Sequence, residues 1–207
     1  MMDWDRHWLH LINREWTHPL LDWLMPAVSC IQAWLPLLIL ACLWLAWRGG
    51  RSGRHFLICM IVAIGLGDGL VSHGLKHAVG RARPKDVTTE VIVRDLGKAK
   101  PEFARLFKPP TQRPGRPKPL EHGKSFPSSH TVNLFAAALI IAHFRRGWGT
   151  FAFGFAALVS YSRIYVGAHW PSDIVPSIGL GLLVGVSAVW LVRRGLAWRA
   201  HRQASRA

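Results

Sequence analysis

The chain has 207 residues, half of them hydrophobic, yet its formal charge at neutral pH is +15. A soluble nucleic-acid binder would account for the charge but not for several apolar runs of near-spanning length. An integral membrane protein accounts for both when the basic residues lie between the runs, so the expected fold is an all-α membrane bundle with about five transmembrane helices of ~20 residues each.

Residues 1–25 read as an N-terminal amphipathic helix. Trp4, Trp8, Ile12 and Trp16 recur at helical spacing, with Asp5, Arg6, Asn13 and Arg14 between them. Indole rings favour the headgroup layer, so this helix is expected to lie at the interface or to pack on the bundle, two compatible placements. Asp3 and Asp5 stand where a cleavable signal would carry basic residues, which leaves the first spanning helix to act as an uncleaved targeting signal. His7 and His10 have no evident third metal ligand and read as surface residues. The membrane domain covers 26–194, with expected spans at 27–47, 56–76, 130–143, 149–166 and 174–191. Pro36 is a possible kink in the first span, and Gly65, Gly67 and Gly69 allow close helix contact in the second. Cys30, Cys42 and Cys59 are odd in number and lack metal-ligand spacing, so they read as packing thiols.

Arg48, Arg51, Arg54, Arg145, Arg146 and the arginines of the tail 195–207, Arg206 included, fall on one side if the spans alternate. That side is expected to be cytoplasmic. The opposite, extracytoplasmic side receives the N-terminal helix, the loop 84–126 and the turn before the last span. The loop is long and proline-rich. Its many lysines and arginines fit either a solvated linker or an anion-collecting lid.

Three polar clusters then fall at that outer side. Lys76 and Arg83 leave the second span two turns apart, on one helical face if the helix persists. Pro127-Ser128-Ser129-His130 opens the third span, where free backbone N–H groups and the helix dipole favour an anion. Arg163, His169 and Asp173 flank the turn before the fifth span, and Pro171 suits the first position of a new helix. Asp173 then reaches back to His169, and a carboxylate on one imidazole nitrogen leaves the other free to attack. Arg163 offers a planar fork for two phosphate oxygens. Together these residues point to a histidine nucleophile facing a phosphoryl group. Two sets of polar residues in the second span stand apart. Asp68 reads as a structural hydrogen-bonding group in the membrane, and His73 and His77 as facing the bundle or the phosphate region.

In these motifs the chain resembles the type 2 phosphatidic acid phosphatase and vanadium haloperoxidase superfamily. The matching residues are Lys76 with Arg83-Pro84, then Pro127-Ser128-Ser129-His130, then Ser162-Arg163 with His169 and Asp173. Ser129 stands where that family usually has glycine, a small-for-small departure. The resemblance implies that His169 is the nucleophile, Asp173 orients it, and His130 protonates the leaving oxygen. It implies further that Lys76, Arg83, Ser128, Ser129 and Arg163 hold the phosphate, with no metal and no cofactor. The implied function is a lipid phosphatase of the cell (inner) membrane, with its site extracytoplasmic and its C-terminus cytoplasmic. Its partners would be the bilayer and a lipid phosphate: undecaprenyl diphosphate, phosphatidic acid, phosphatidylglycerol phosphate or lipid A phosphate. A lipid phosphotransferase and a non-catalytic binder of anionic lipid are the competing readings. A haloperoxidase fits poorly, because the resembling chains of that activity are soluble.

Overall fold

The structure, a computed structural model, describes residues 3–119 and 123–205. The first two positions of the expected N-terminal helix, residues 120–122 of the long loop, and Arg206 of the tail lie outside the described residues. The molecule is mostly helical.

The N-terminal segment folds as two helices rather than one. Helix α1, Asp3–His10, has both its acidic residues in the first turn and runs on into a π-helical turn, Leu11–Glu15. The chain then leaves helical geometry, and His18 starts α2, Pro19–Ser29, with its Nδ1 accepting from the Leu20 N–H at 3.2 Å. Pro19 at the first helical position lacks a donor there, where none is required. A second break at Cys30 separates α2 from α3, Ile31–Arg48, so the first apolar run begins later than its hydropathy suggests. Nearly all of α3 is exposed, including Leu37, Leu40, Trp44 and Trp47, as befits a helix bathed in lipid.

Helix α4, Gly50–Ile64, continues through a π-helical stretch, Gly65–Ser72, into α5, His73–Val79. Gly80 ends α5 with φ +59°, a left-handed stop that favours glycine. Lys76 and Arg83 therefore do not share a helical face as the sequence suggests; the chain turns between them. Helices α6, Ser129–Phe144, α7, Arg146–Tyr165, and α8, Pro171–Ala204, complete the bundle. Within the basic segment 195–207, the residues as far as Ala204 are helical and continue α8. Among the described residues, Ile31–Arg48, Gly50–Asp86 and Pro171–Ala204 are long and apolar enough to cross a membrane, and α6 is a shorter apolar helix.

Helix α6 is central and packs on α7 and α8. Gly181 brings the α8 backbone close, since a Cβ there would sit 2.6 Å from the Val132 carbonyl oxygen. Val132, Ala136, Ile140, Val184 and Ala188 fill this seam. In lipid, close packing of this kind holds helices together, because leaving lipid gains no hydrophobic free energy. A second apolar cluster joins the N-terminal helices to the His169 end of the bundle: Leu9, Ile12, Met25, Val91, Tyr165 and Trp170. The N-terminal segment thus packs on the bundle, with Trp4 and Trp16 left exposed.

The described part of the long loop is folded as well. It carries 3₁₀ turns at Pro84–Asp86 and Glu102–Phe107, and an antiparallel ribbon of β1, Ile92–Asp95, and β2, Thr111–Pro114. Buried Asn13 ties this ribbon to the bundle. Its amide donates to the carbonyls of Ile92 and Tyr165, and its Oδ1 accepts from the Ile92 N–H at 2.8 Å. Arg94 adds an ion pair with Asp22 at 2.6 Å and lies over the Tyr165 ring.

Candidate active site

The turn between α7 and α8 is built to present one imidazole. At the end of α7, the N–H groups of Ala168 and His169 both donate to the Arg163 carbonyl, at 2.9 and 3.2 Å. Gly167 sits at φ +73°, and a Cβ there would run into the Val91 side chain. The turn is thereby pressed against the loop, and His169 is only 2% exposed. Pro171 opens α8 as its spacing predicts, and Trp170 caps it: the Trp170 N–H donates to Asp173 Oδ2 at 2.9 Å.

Asp173, fully buried, lies 3.6 Å from His169 Nδ1. That is too long for a full hydrogen bond, and His169 Nδ1 has no hydrogen-bond partner among the described residues. Contacts of this kind commonly tighten only when substrate is bound. Other donors hold the carboxylate more closely. Ser125 Oγ donates to Oδ2 at 2.5 Å, and Arg81 Nη1 donates to Oδ1 at 2.5 Å. Arg81 in turn donates through Nη2 to Asp5 Oδ2 at 2.5 Å, and Asp5 accepts from the Ser172 N–H and hydroxyl. Burial pushes the His169 imidazole down to about 4; Asp173 opposes the shift, while the Arg163 and Arg83 cations reinforce it. The ring is therefore neutral near pH 7, with a lone pair available.

The other two clusters meet this turn. Gly123 N–H donates to the Gly80 carbonyl and Ser125 N–H to that of Arg81, so the end of the long loop lies beside the turn after α5. Lys76 Nζ donates to Ser129 Oγ at 2.5 Å, bringing the first cluster onto the first turn of α6. Arg163, His169 and Lys76 all lie close enough to His130 to act on its charge. Arg83 is near enough to do the same to Lys76 and Arg163. The Arg163 Nε is buried with no hydrogen-bond partner among the described residues. A cavity of about 170 Å³ adjoins it, lined also by Ser29, Cys30, Arg94 and Arg105.

Lys76, Arg83, Ser129, His130, Arg163, His169 and Asp173 are thus gathered at one end of the bundle. Ser128 adjoins them at the start of α6. Its hydroxyl caps α6 by accepting from Thr131, and its N–H donates to Ser177 Oγ at 3.0 Å, so both polar groups are engaged within the fold. Asp68 accepts from Asn133 Nδ2 at 2.9 Å, the helix-to-helix bond its position suggests. The His73 and His77 rings lie 4.5 Å apart at a tilt of 58°, and both are exposed. Among the described residues, no group of three or more His, Cys, Asp or Glu has the arrangement of a metal site. No motif singles out Arg81, Ser125 or Asp5; their roles depend on a fold that places 5, 81, 125 and 173 side by side.

A family model described as the PAP2 superfamily matches residues 55–196. The chain is 30% identical over 197 residues to a protein named lipid A 4'-phosphatase from Porphyromonas gingivalis, covering 90% of this chain and 75% of that one. It is 27% identical over 164 residues to an undecaprenyl-diphosphatase from Sulfolobus acidocaldarius, covering 78% and 65%. Among solved structures, LpxE of Aquifex aeolicus superposes with a TM-score of 0.66 at 24% identity, over 91% of this chain and 96% of that one. A PAP2-type phosphatidylglycerolphosphate phosphatase from Bacillus subtilis superposes with a TM-score of 0.59 at 19% identity, over 93% and 88%. Both likenesses are of fold.

Proposed function

The chain belongs to the PAP2 superfamily, and from that premise we propose that it is a membrane lipid phosphatase working through a phosphohistidine. The observation that carries this reading is the gathering of Lys76, Arg83 and Arg163 around two imidazoles at one end of the bundle. His169, neutral and buried, attacks phosphorus through Nε2, with Asp173 holding a proton on Nδ1 and fixing the tautomer. His130, in the first turn of α6, protonates the departing lipid oxygen. Lys76, Arg83, Arg163 and Ser129 stabilise the negative charge on the equatorial oxygens, a task that metal ions perform in other phosphoryl-transfer sites. Water then cleaves the phosphohistidine and regenerates the enzyme. Ser128 contributes by starting α6 at the correct place.

Five spans are proposed: α3, α4 with α5, α6, α7 and α8. They put the site on the extracytoplasmic face, and Arg48, Arg145 and Arg193 with their neighbours on the cytoplasmic face. The substrate is a phosphate or diphosphate monoester whose headgroup reaches Arg163 and the cavity beside it, while its tail stays in lipid. The relatives named for lipid A and undecaprenyl diphosphate make those two lipids the first to test. Purified protein would be assayed for phosphate release from both, and from phosphatidic acid and phosphatidylglycerol phosphate, with vanadate as inhibitor. Vanadate-sensitive release from at least one lipid is expected. No release from any of them by folded protein would refute the reading.

A further inference from the structure

The innermost charged contact of the N-terminal helix is the Asp5–Arg81 pair, which ends on the carboxylate of Asp173. Asp5 is 0% exposed, although it belongs to a segment with the composition of a surface helix. Arg81 uses its two terminal nitrogens separately, Nη1 for Asp173 and Nη2 for Asp5, each at 2.5 Å. Ser172 adds a further link: its hydroxyl accepts from Arg81 and donates to Asp5, and its N–H donates to Asp5 at 2.9 Å. Burial of such a cluster is costly unless the charges are paired and hydrogen-bonded. A role in holding α1 alone does not require that it terminate on the carboxylate beside His169.

We propose that Arg81 and Asp5 are positioning residues for the reaction: Arg81 orients Asp173 toward His169, and Asp5 sets how much of the Arg81 charge Asp173 feels. The inference rests on the reading of His169 and Asp173 as nucleophile and orienter. A guanidinium bonded to Asp173 alone would weaken its hold on the imidazole proton. Sharing that cation with Asp5 returns negative charge to Asp173 and keeps its carboxylate an effective partner. The N-terminal helix is by this account an electrostatic part of the active site. The charged or polar groups facing His169 are Asp173 from α8, Arg163 from α7, Arg83 from the turn after α5, and His130 from α6. Those facing Asp173 are Arg81, Ser125, the Trp170 N–H and His169. Arg81 also lies 5.7 Å from the Trp170 ring centroid.

The test measures kcat, KM and the acid limb of the pH–rate profile in detergent for Asp5→Asn, Arg81→Gln, Arg81→Lys and the double variant Asp5→Asn/Arg81→Gln. Arg81→Gln removes a cation from Asp173, so the imidazole holds its proton more strongly and the acid limb moves to higher pH. Asp5→Asn leaves the Arg81 charge acting on Asp173 alone, so the limb moves to lower pH. Arg81→Lys keeps the charge but loses the fork, so kcat falls while the limb stays near its wild-type position. Losses of about tenfold to a hundredfold in kcat are expected, with KM little changed, the range seen where the hydrogen-bond partners that orient metal-binding side chains are removed. The double variant should resemble Arg81→Gln, because Asp5 acts through Arg81. Unmoved limbs, limbs that move the same way, or additive losses would overturn the proposal. The pH dependence of vanadate binding reads the same displacement without turnover. A wild type that binds vanadate but releases no phosphate from any lipid therefore fails the function reading and still tests this one.

Discussion

Gly167→Ala tests how far the chemistry depends on the turn that carries His169. At φ +73° an alanine is strained by about 1–2 kcal/mol. Its methyl would also press on the Val91 side chain, which is packed against the N-terminal helices, at an overpacking cost of about 1–3 kcal/mol. The two together come to roughly 2–5 kcal/mol, a large part of the ~5–15 kcal/mol that holds a typical domain folded. Part of that strain is expected to appear as movement of the turn, and a displacement of about 1 Å at a reacting group lowers rates by roughly a hundredfold. The assay is thermal melting in detergent together with phosphate release by the folded fraction. Adding Val91→Ala should relieve the steric share, but not the backbone share, and recover part of the lost rate. Wild-type melting and turnover in Gly167→Ala, or no relief from Val91→Ala, would refute this view of the turn.

Three further outcomes are expected. The attack proposed for His169 requires an imidazole lone pair that protonation removes, so the rate should fall as pH falls, with the acid limb of kcat/KM well below the ordinary imidazole value of ~6.5; Arg163→Gln, by removing a cation that opposes protonation, should move that limb upward in the same pH series. Lys76→Met should lower kcat/KM by about a hundredfold to a thousandfold, the usual cost of losing one transition-state charge donor, while leaving the melting profile in place. Asp68→Ala strips Asn133 of its partner within the bilayer and should cost roughly 1 kcal/mol of stability, seen as a lower melting temperature with per-molecule activity retained.

The helices and motif residues are legible in the chain because both rest on local signals. Apolar runs of bilayer length mark α3, α4 and α8, and Pro171 two residues after His169 marks the start of α8. What escapes a reading of the sequence is non-local. Gly80 lies inside an otherwise helical pattern, and only its left-handed geometry shows that Lys76 and Arg83 belong to different segments. The loop ribbon pairs Ile92–Asp95 with Thr111–Pro114 across a long connection, with no short turn to announce it. The arginine-rich end looks like a tail by composition, yet its residues are good helix formers and extend α8 to Ala204. Asp5 looks like one more polar residue on an interfacial helix; its burial depends on Arg81 and Ser172, far away in the chain. His73 and His77 have the spacing of a functional pair, and the helix turns them outward.

The most direct test is whether His169 carries the phosphoryl group, as proposed. Wild-type protein would be mixed with a turned-over lipid phosphate, denatured in alkali, where phosphohistidine survives, and its peptides weighed. A phosphate adduct is expected on the peptide containing His169 and absent from His169→Ala, which should be folded and inactive. An adduct on another residue, or near-normal turnover by His169→Ala, would contradict the proposal.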